Sequence, residues 1–192
     1  MARFSFHRGT PALDFTGTVG HRASSREERL PDAGALAAWL REAGFTGPGV
    51  KPASHDLEAA HALREAIARM AEAVVTKHHP ARRDIAIVNA AAAQTALLTP
   101  VLDPRTLRVR WHGEHVVRGA LGRVAADAVD LFATRRSRLV RCELDGCGAF
   151  LLSASRGAPR RWCSMEACGN VAKVAAHRAR ARAGMKEQSA RK

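Results

Sequence analysis

The sequence predicts an α+β protein: a mostly helical N-terminal domain carrying one β-hairpin, followed by a small C-terminal module built on cysteines. Three observations carry this prediction. Four runs between Pro31 and Thr134 repeat apolar residues at three- and four-residue spacing. One stretch, Leu107 to Trp111, alternates apolar and basic residues with period two. All four cysteines of the 192 residues lie in two pairs near the C-terminus, Cys142 with Cys147 and Cys163 with Cys168.

Phe4 to Thr18 mixes Phe4, Phe6, Leu13 and Phe15 with Gly9 and Pro11, and reads as extended chain and a turn. Asp14 sits among apolar neighbours, where an aspartate caps a helix, pairs with an arginine or faces a pocket. His21 to Arg29 is polar and reads as a loop. Pro31-Asp32 starts a helix with Leu36, Trp39 and Leu40 on one face, and Gly44 ends it. Ser54 is the expected cap of a longer helix, with Leu57, Ala60, Leu63, Ile67, Met70 and Val74 in its stripe, to about Lys77. Pro80 suits the first turn of the next, with Ile85, Val88 and Ala92 inward, stopping near Thr99-Pro100. Leu107, Val109 and Trp111 predict a half-buried strand, with a turn at His112-Gly113 and a return over Glu114 to Arg118. Leu121, Val124, Ala125, Ala128, Leu131 and Phe132 then form a stripe on a helix from about Ala120 to Thr134. The charge run Thr134 to Arg138 marks the boundary, giving domains 1–134 and 135–192.

The cysteines supply the sharpest chemistry. Each pair encloses four residues, and fifteen separate Cys147 from Cys163. Four thiolates on two short loops suit one tetrahedral Zn²⁺. Two disulfides are the alternative; they need an oxidising compartment, and nothing at the N-terminus directs the chain to one. Gly146 and Gly148 flank Cys147 and permit the tight backbone of a knuckle. Ala149 to Ala154 reads as a strand, Arg156 to Pro159 as a turn. Ser164 is the expected N-cap of a helix, with Glu166 in its first turn and Gly184 near its end. Knuckle, hairpin and helix in that order resemble a treble-clef zinc finger. Four protein ligands close the site, so the metal is expected to be structural rather than catalytic.

Charge follows the same division. Residues 135–192 hold 14 Lys/Arg against 4 Asp/Glu, a net of +10, and residues 1–134 hold 17 against 14, a net of +3. That excess is the footprint of a polyanion binder. Its bland counterpart is a solvated basic tail. Lys173, His177 and Arg180 share one face of the expected helix, and Arg178 and Arg182 another, while Val171, Val174 and Ala175 form a narrow apolar stripe expected to pack on the finger. A run of 18 apolar residues is absent, which excludes a membrane-spanning helix, and the expected home is a reducing cytoplasm.

Trp162-Cys163-Ser164-Met165, then Cys168-Gly169-Asn170 and Lys173, preceded by Arg160-Arg161, resembles the CGNR zinc finger. Val171 stands where that family has the arginine of its name. Leu13-Asp14-Phe15-Thr16-Gly17-Thr18 is similar to the Leu-Asp-Phe-x-Asn-Thr opening of the ABATE domain, with Gly17 in place of asparagine. These fingers follow ABATE domains in proteins regarded as transcriptional regulators, often linked to stress responses. The resemblance implies a DNA-binding regulator. Its cationic contacts would be Arg160, Arg161, Lys173, His177, Arg178, Arg180 and Arg182. Its N-terminal domain would supply control through a small-molecule effector, with Asp14, Thr18 and His21 as candidate ligand contacts, or through homodimerisation. A protein-interaction module without sequence-specific DNA binding is the alternative. No nucleophile–base or paired-carboxylate arrangement stands out, so an enzyme is not expected.

Overall fold

Thr10-Pro11 opens the first helix. In the computed structural model, which describes residues 4–154, 159–178 and 180, the Thr10 hydroxyl accepts from the Leu13 N–H at 3.3 Å. Pro11, with its preset φ, starts α1 (Pro11–Thr16). The extended reading of this stretch is therefore corrected. At six residues α1 is too short to show a period, but its cap and proline were visible. Ala12 to Thr16 are all buried, and α1 packs on α3 (Ser54–Val75) and α5 (Val116–Asp130).

The expected loop after it contains a small ladder, β1 (Val19–Gly20) antiparallel to β2 (Glu27–Glu28). Helix α2 (Ala33–Glu42) starts as its sequence predicts, with the Asp32 carboxylate accepting from Ala35 N–H at 2.7 Å. Trp39 of α2 is fully buried against Phe6, Phe15 and Phe45, with ring centroids 6.0, 4.8 and 6.2 Å away. Ser54 is the first residue of α3 rather than its cap. Ala53 occupies the cap position, and its N–H donates to the Asp56 carboxylate at 2.9 Å. Helix α4 (Arg82–Ala92) begins two residues after Pro80 and tightens into a 3₁₀ turn, Ala93–Leu97.

The hairpin is real but its partner strand is upstream. β3 (Thr99–Leu102) pairs antiparallel with β4 (Val109–His112), Pro100 facing Trp111. The expected return over Glu114 to Arg118 instead enters α5, which starts at Val116. Pro100 hid the true partner, because a proline in a strand reads as a breaker. Nor is β4 half-buried: Val109 is 52% exposed. Helix α5 buries the predicted stripe, Leu121, Val124, Ala125 and Ala128, and widens at its end into a π turn, Leu131–Arg135. Gly119 and Gly122 lie buried on this helix. A Cβ on Gly122 would lie 2.7 Å from the Thr95 nitrogen, so the glycine lets α5 press onto the 3₁₀ turn.

The finger's hairpin is built into this core. β5 (Leu139–Arg141) pairs antiparallel with β6 (Phe150–Leu152). Leu139, Phe150 and Leu152 join the main cluster, while Leu151 faces the cysteines. The Leu152 N–H donates to Arg8 O at 2.8 Å. Among the described residues no helix is long and apolar enough to cross a membrane.

Candidate metal centre and basic helix

Strand β5 ends at Arg141 and delivers Cys142 to the site. The chain then turns on Gly146 (φ 76°) and Gly148 (φ 64°), left-handed positions that glycine adopts without strain. This turn returns Cys147 under β6, with the Cys142 N–H donating to Ala149 O at 2.8 Å. The second pair comes from the segment before the last helix. The Glu143 N–H donates to Arg161 O at 2.9 Å and ties the two loops together. Ser164 caps as expected: its hydroxyl accepts from Ala167 N–H at 3.3 Å. A π turn, Met165–Gly169, then carries Cys168 inward.

The sulfurs meet. Cys163 Sγ lies 3.4 Å from Cys168 Sγ and 3.7 Å from Cys147 Sγ, and Cys168 Sγ lies 3.6 Å from Cys147 Sγ. All four lie within 4.8 Å of one another. Four Zn–S bonds of about 2.3 Å at tetrahedral angles place sulfurs roughly 3.8 Å apart, so the set fits one zinc ion. A disulfide needs about 2.05 Å, and all four cysteines are free thiols.

The thiols also act on one another. Hydrogen bonds from Cys147 and Cys163 push the Cys142 thiol down. The others pay for it: Cys147 is pushed up by its bond to Cys142, and Cys163 is pushed up to about 12 by the same neighbour. Burial pushes Cys168 up to about 12. Without a cation the cluster holds protons; with Zn²⁺ it becomes four thiolates, and binding releases the protons.

The candidate cations divide. Arg160 is turned onto the metal loop, its Nε donating to Trp162 O at 3.2 Å and its Nη2 to Cys163 O at 2.6 Å. Arg161 lies over the Trp162 ring at 4.8 Å and pairs with Glu143 at 2.6 Å. Residues 170–178 and 180 are helical, and Lys173, His177, Arg178 and Arg180 on them are exposed, without an ion pair among the described residues. Arg182 and Gly184 lie outside the described residues. The apolar stripe does not pack on the finger: Val171 and Val174 are 54% and 49% exposed, and Ala175 is exposed as well. The helix leaves the finger after its first turn, so little protein surface remains for it to cover.

Asp14, Thr18 and His21 go to separate tasks. The Asp14 carboxylate accepts from Arg8 N–H at 2.8 Å, and burial pushes its carboxyl up to about 6. The Thr18 hydroxyl donates to Phe15 O at 2.8 Å and accepts from Arg64 Nη1 at 3.3 Å. His21 is exposed in a turn at φ 45°. A partly buried ionic network beside Thr18 escaped the sequence reading. Arg64, 4% exposed, donates to both oxygens of Glu28 at 2.7 Å, and Arg22 grips Glu65 at 2.9 and 3.0 Å. Burial raises the Glu65 carboxyl, but the hydrogen bonds and charges of Arg22 and Arg64 outweigh it and bring it down to about 2. The signal was Arg64 itself, four residues after Ala60 and three before Ile67, on the buried stripe of α3.

Two family models match the chain. Residues 9–135 match ABATE, described as "Putative stress-induced transcription regulator", and residues 138–181 match the CGNR zinc finger. No curated protein matches. The first match spans well over half of the chain and the second contains all four clustered cysteines: the protein belongs to the ABATE family and joins that domain to a CGNR zinc finger.

Proposed function

We propose that this protein is a transcription regulator that binds duplex DNA through its zinc-organised finger. The observation that carries this reading is the helix after Cys168. Zinc anchors its first turn, and Lys173, His177, Arg178 and Arg180 stand in solvent without acidic partners among the described residues. Cations in that state meet phosphate oxygens and displace condensed counterions. Arg160 and Arg161 serve the finger's own geometry, so the phosphate contacts fall to the helix.

Three lysine or arginine contacts give a slope of about −2.7 for log affinity against log salt, or roughly a 40-fold loss from 50 to 200 mM. Zinc-loaded protein is titrated with duplex DNA across that range. The triple substitution Lys173→Gln, Arg178→Gln and Arg180→Gln is expected to flatten most of the slope. Absence of binding at low salt, or a slope untouched by the triple variant, overturns the reading.

One observation favours a second reading, a protein-interaction module: exposed Val171 and Val174 share the helix with these cations. Val171→Ser with Val174→Ser separates the two, since it spares phosphate contacts and removes an apolar anchor. Loss of a specific protein partner from nuclease-treated lysate, with DNA binding intact, supports the second.

A further inference from the structure

A groove of about 590 Å³ opens where the end of α3, the start of α4 and the end of α5 meet. Its walls are largely apolar, with Met70, Val74, Ile85, Val88, Val129 and Phe132 contributing, and His78, His79 and Asn89 also line it. The volume is in the usual range for a small-molecule site. Two further features say what kind of molecule it suits. The lining contains no aspartate or glutamate, while Arg136 stands at its edge. The Arg136 Nη1 donates to Phe132 O and Ala133 O at 3.2 and 3.3 Å, and the guanidinium has no ion pair among the described residues. The second feature is the widened π turn Leu131–Arg135, which gives up regular helix geometry at the position where Phe132 and Ala133 line the groove. Such turns recur at functional sites.

The geometry points to a binding site for a small apolar monocarboxylate, its alkyl or aryl body against Val74, Val88 and Phe132 and its carboxylate on Arg136. A cationic amphiphile would meet Arg136 with like charge and find no carboxylate in the lining. The site lies apart from Asp14, Thr18 and His21 and does not depend on DNA binding. It does touch the joint between the domains, since Arg136 begins the 3₁₀ turn Arg136–Arg138 that leads into β5 and Cys142.

The test uses the zinc-loaded full chain without DNA, so its outcome is independent of the regulator reading. Hexanoate, octanoate, 2-naphthoate and octylammonium are titrated by calorimetry and by thermal unfolding. Octanoate is expected to bind saturably at one per chain and raise Tm. Each methylene is worth about fourfold, so hexanoate should bind up to about 16-fold more weakly. Tighter binding of 2-naphthoate than of octanoate marks an aryl acid, the reverse an alkyl acid. Arg136→Gln, at an exposed position, should weaken the better carboxylate at least tenfold. Val129→Glu, at the half-open wall, should abolish binding with the unliganded Tm near that of the parent. Octylammonium binding as well as octanoate, a non-saturating response, or carboxylate binding unchanged in both variants overturns the proposal.

Discussion

Replacing Cys142 with serine removes one thiolate from a cluster whose four sulfurs lie within 4.8 Å of one another. A structural zinc of this type contributes about 10–16 kcal/mol in small finger peptides. One quarter of that is roughly 3 kcal/mol, or at least a hundredfold in zinc affinity. Cys142 Sγ also accepts the Cys163 N–H at 3.5 Å, so the loss reaches the second loop. The consequence is local, because the β5–β6 hairpin is held from the other side. Leu139, Phe150 and Leu152 are in the main core, and the Leu152 N–H is bonded to Arg8 O. Competition with a chelator measures the affinity, metal analysis the stoichiometry, and amide hydrogen exchange the extent of unfolding. Expected are one zinc per parent chain and a variant that surrenders it to a weak chelator. The Cys147, Ala167 and Gly169 amides should lose protection, and that of Leu152 should keep it. A variant that holds one zinc at parental affinity would refute the four-thiolate assignment. Exchange of Leu152 as fast as that of Gly169 would refute the shared core.

Three further outcomes follow from the same geometry. Gly122→Ala puts a Cβ 2.7 Å from Thr95 N and 2.9 Å from Gln94 C, backbone atoms that cannot swing away. Although alanine favours helix by about 1 kcal/mol, overpacking should destabilise the protein by about 1–3 kcal/mol, and a raised Tm would contradict it. Asp14→Asn keeps an acceptor for the Arg8 N–H but carries no charge. The Asp14 carboxyl sits at about 6 in the fold against 3.8 ordinarily, so the folded chain holds a proton that the unfolded chain releases, and stability falls as pH rises through that window. The variant should gain up to about 3 kcal/mol at pH 7.5 and little at pH 4 in denaturant titrations, and an equal difference at both would sink the assignment. Arg160→Ala frees the carbonyls of Trp162 and Cys163, and should weaken zinc retention while leaving the salt slope of DNA binding unchanged, whereas a changed slope would move Arg160 into the interface.

How far the sequence could be read depended on the length scale of each signal. The long helices declare themselves because ten or more residues repeat one face. The metal site declares itself because thiols are scarce and their pairing is local. Helix α1 was lost because six residues complete fewer than two turns, and Leu13 and Phe15 look like alternation there. β3 was lost because Pro100 suppresses the strand pattern, although its partner β4 was recognised as a strand. The Arg64–Glu28 and Arg22–Glu65 pairs join residues 36 and 43 apart, and no local pattern encodes such a pairing. The exposure of Val171 and Val174 was misread for a related reason. A stripe predicts a buried face only where something stands opposite it, and the sequence does not say how much of the finger lies there.

That last point bears on how the two domains work together. A finger of this size has a small apolar cluster of its own: Cys142, Cys147, Ala149, Leu151 and Cys168, ringed by Val140, Leu144, Trp162 and Cys163. It cannot stabilise itself by burial, and zinc supplies one remedy. The structure adds a second. The Ser24 hydroxyl donates to Gly146 O at 2.9 Å, Arg141 pairs with Glu72 of α3, and a Cβ on Gly148 would lie 2.6 Å from Ala23 N. The knuckle that positions Cys147 is therefore seated on the loop between β1 and β2 and on α3. A change in α3 or that loop has a mechanical route to the cysteines through Arg141 and Gly148, and among the described residues the helix beyond Cys168 has no contact of comparable kind holding it back. Metal and N-terminal domain together fix the base of the basic helix and leave its cations in solvent.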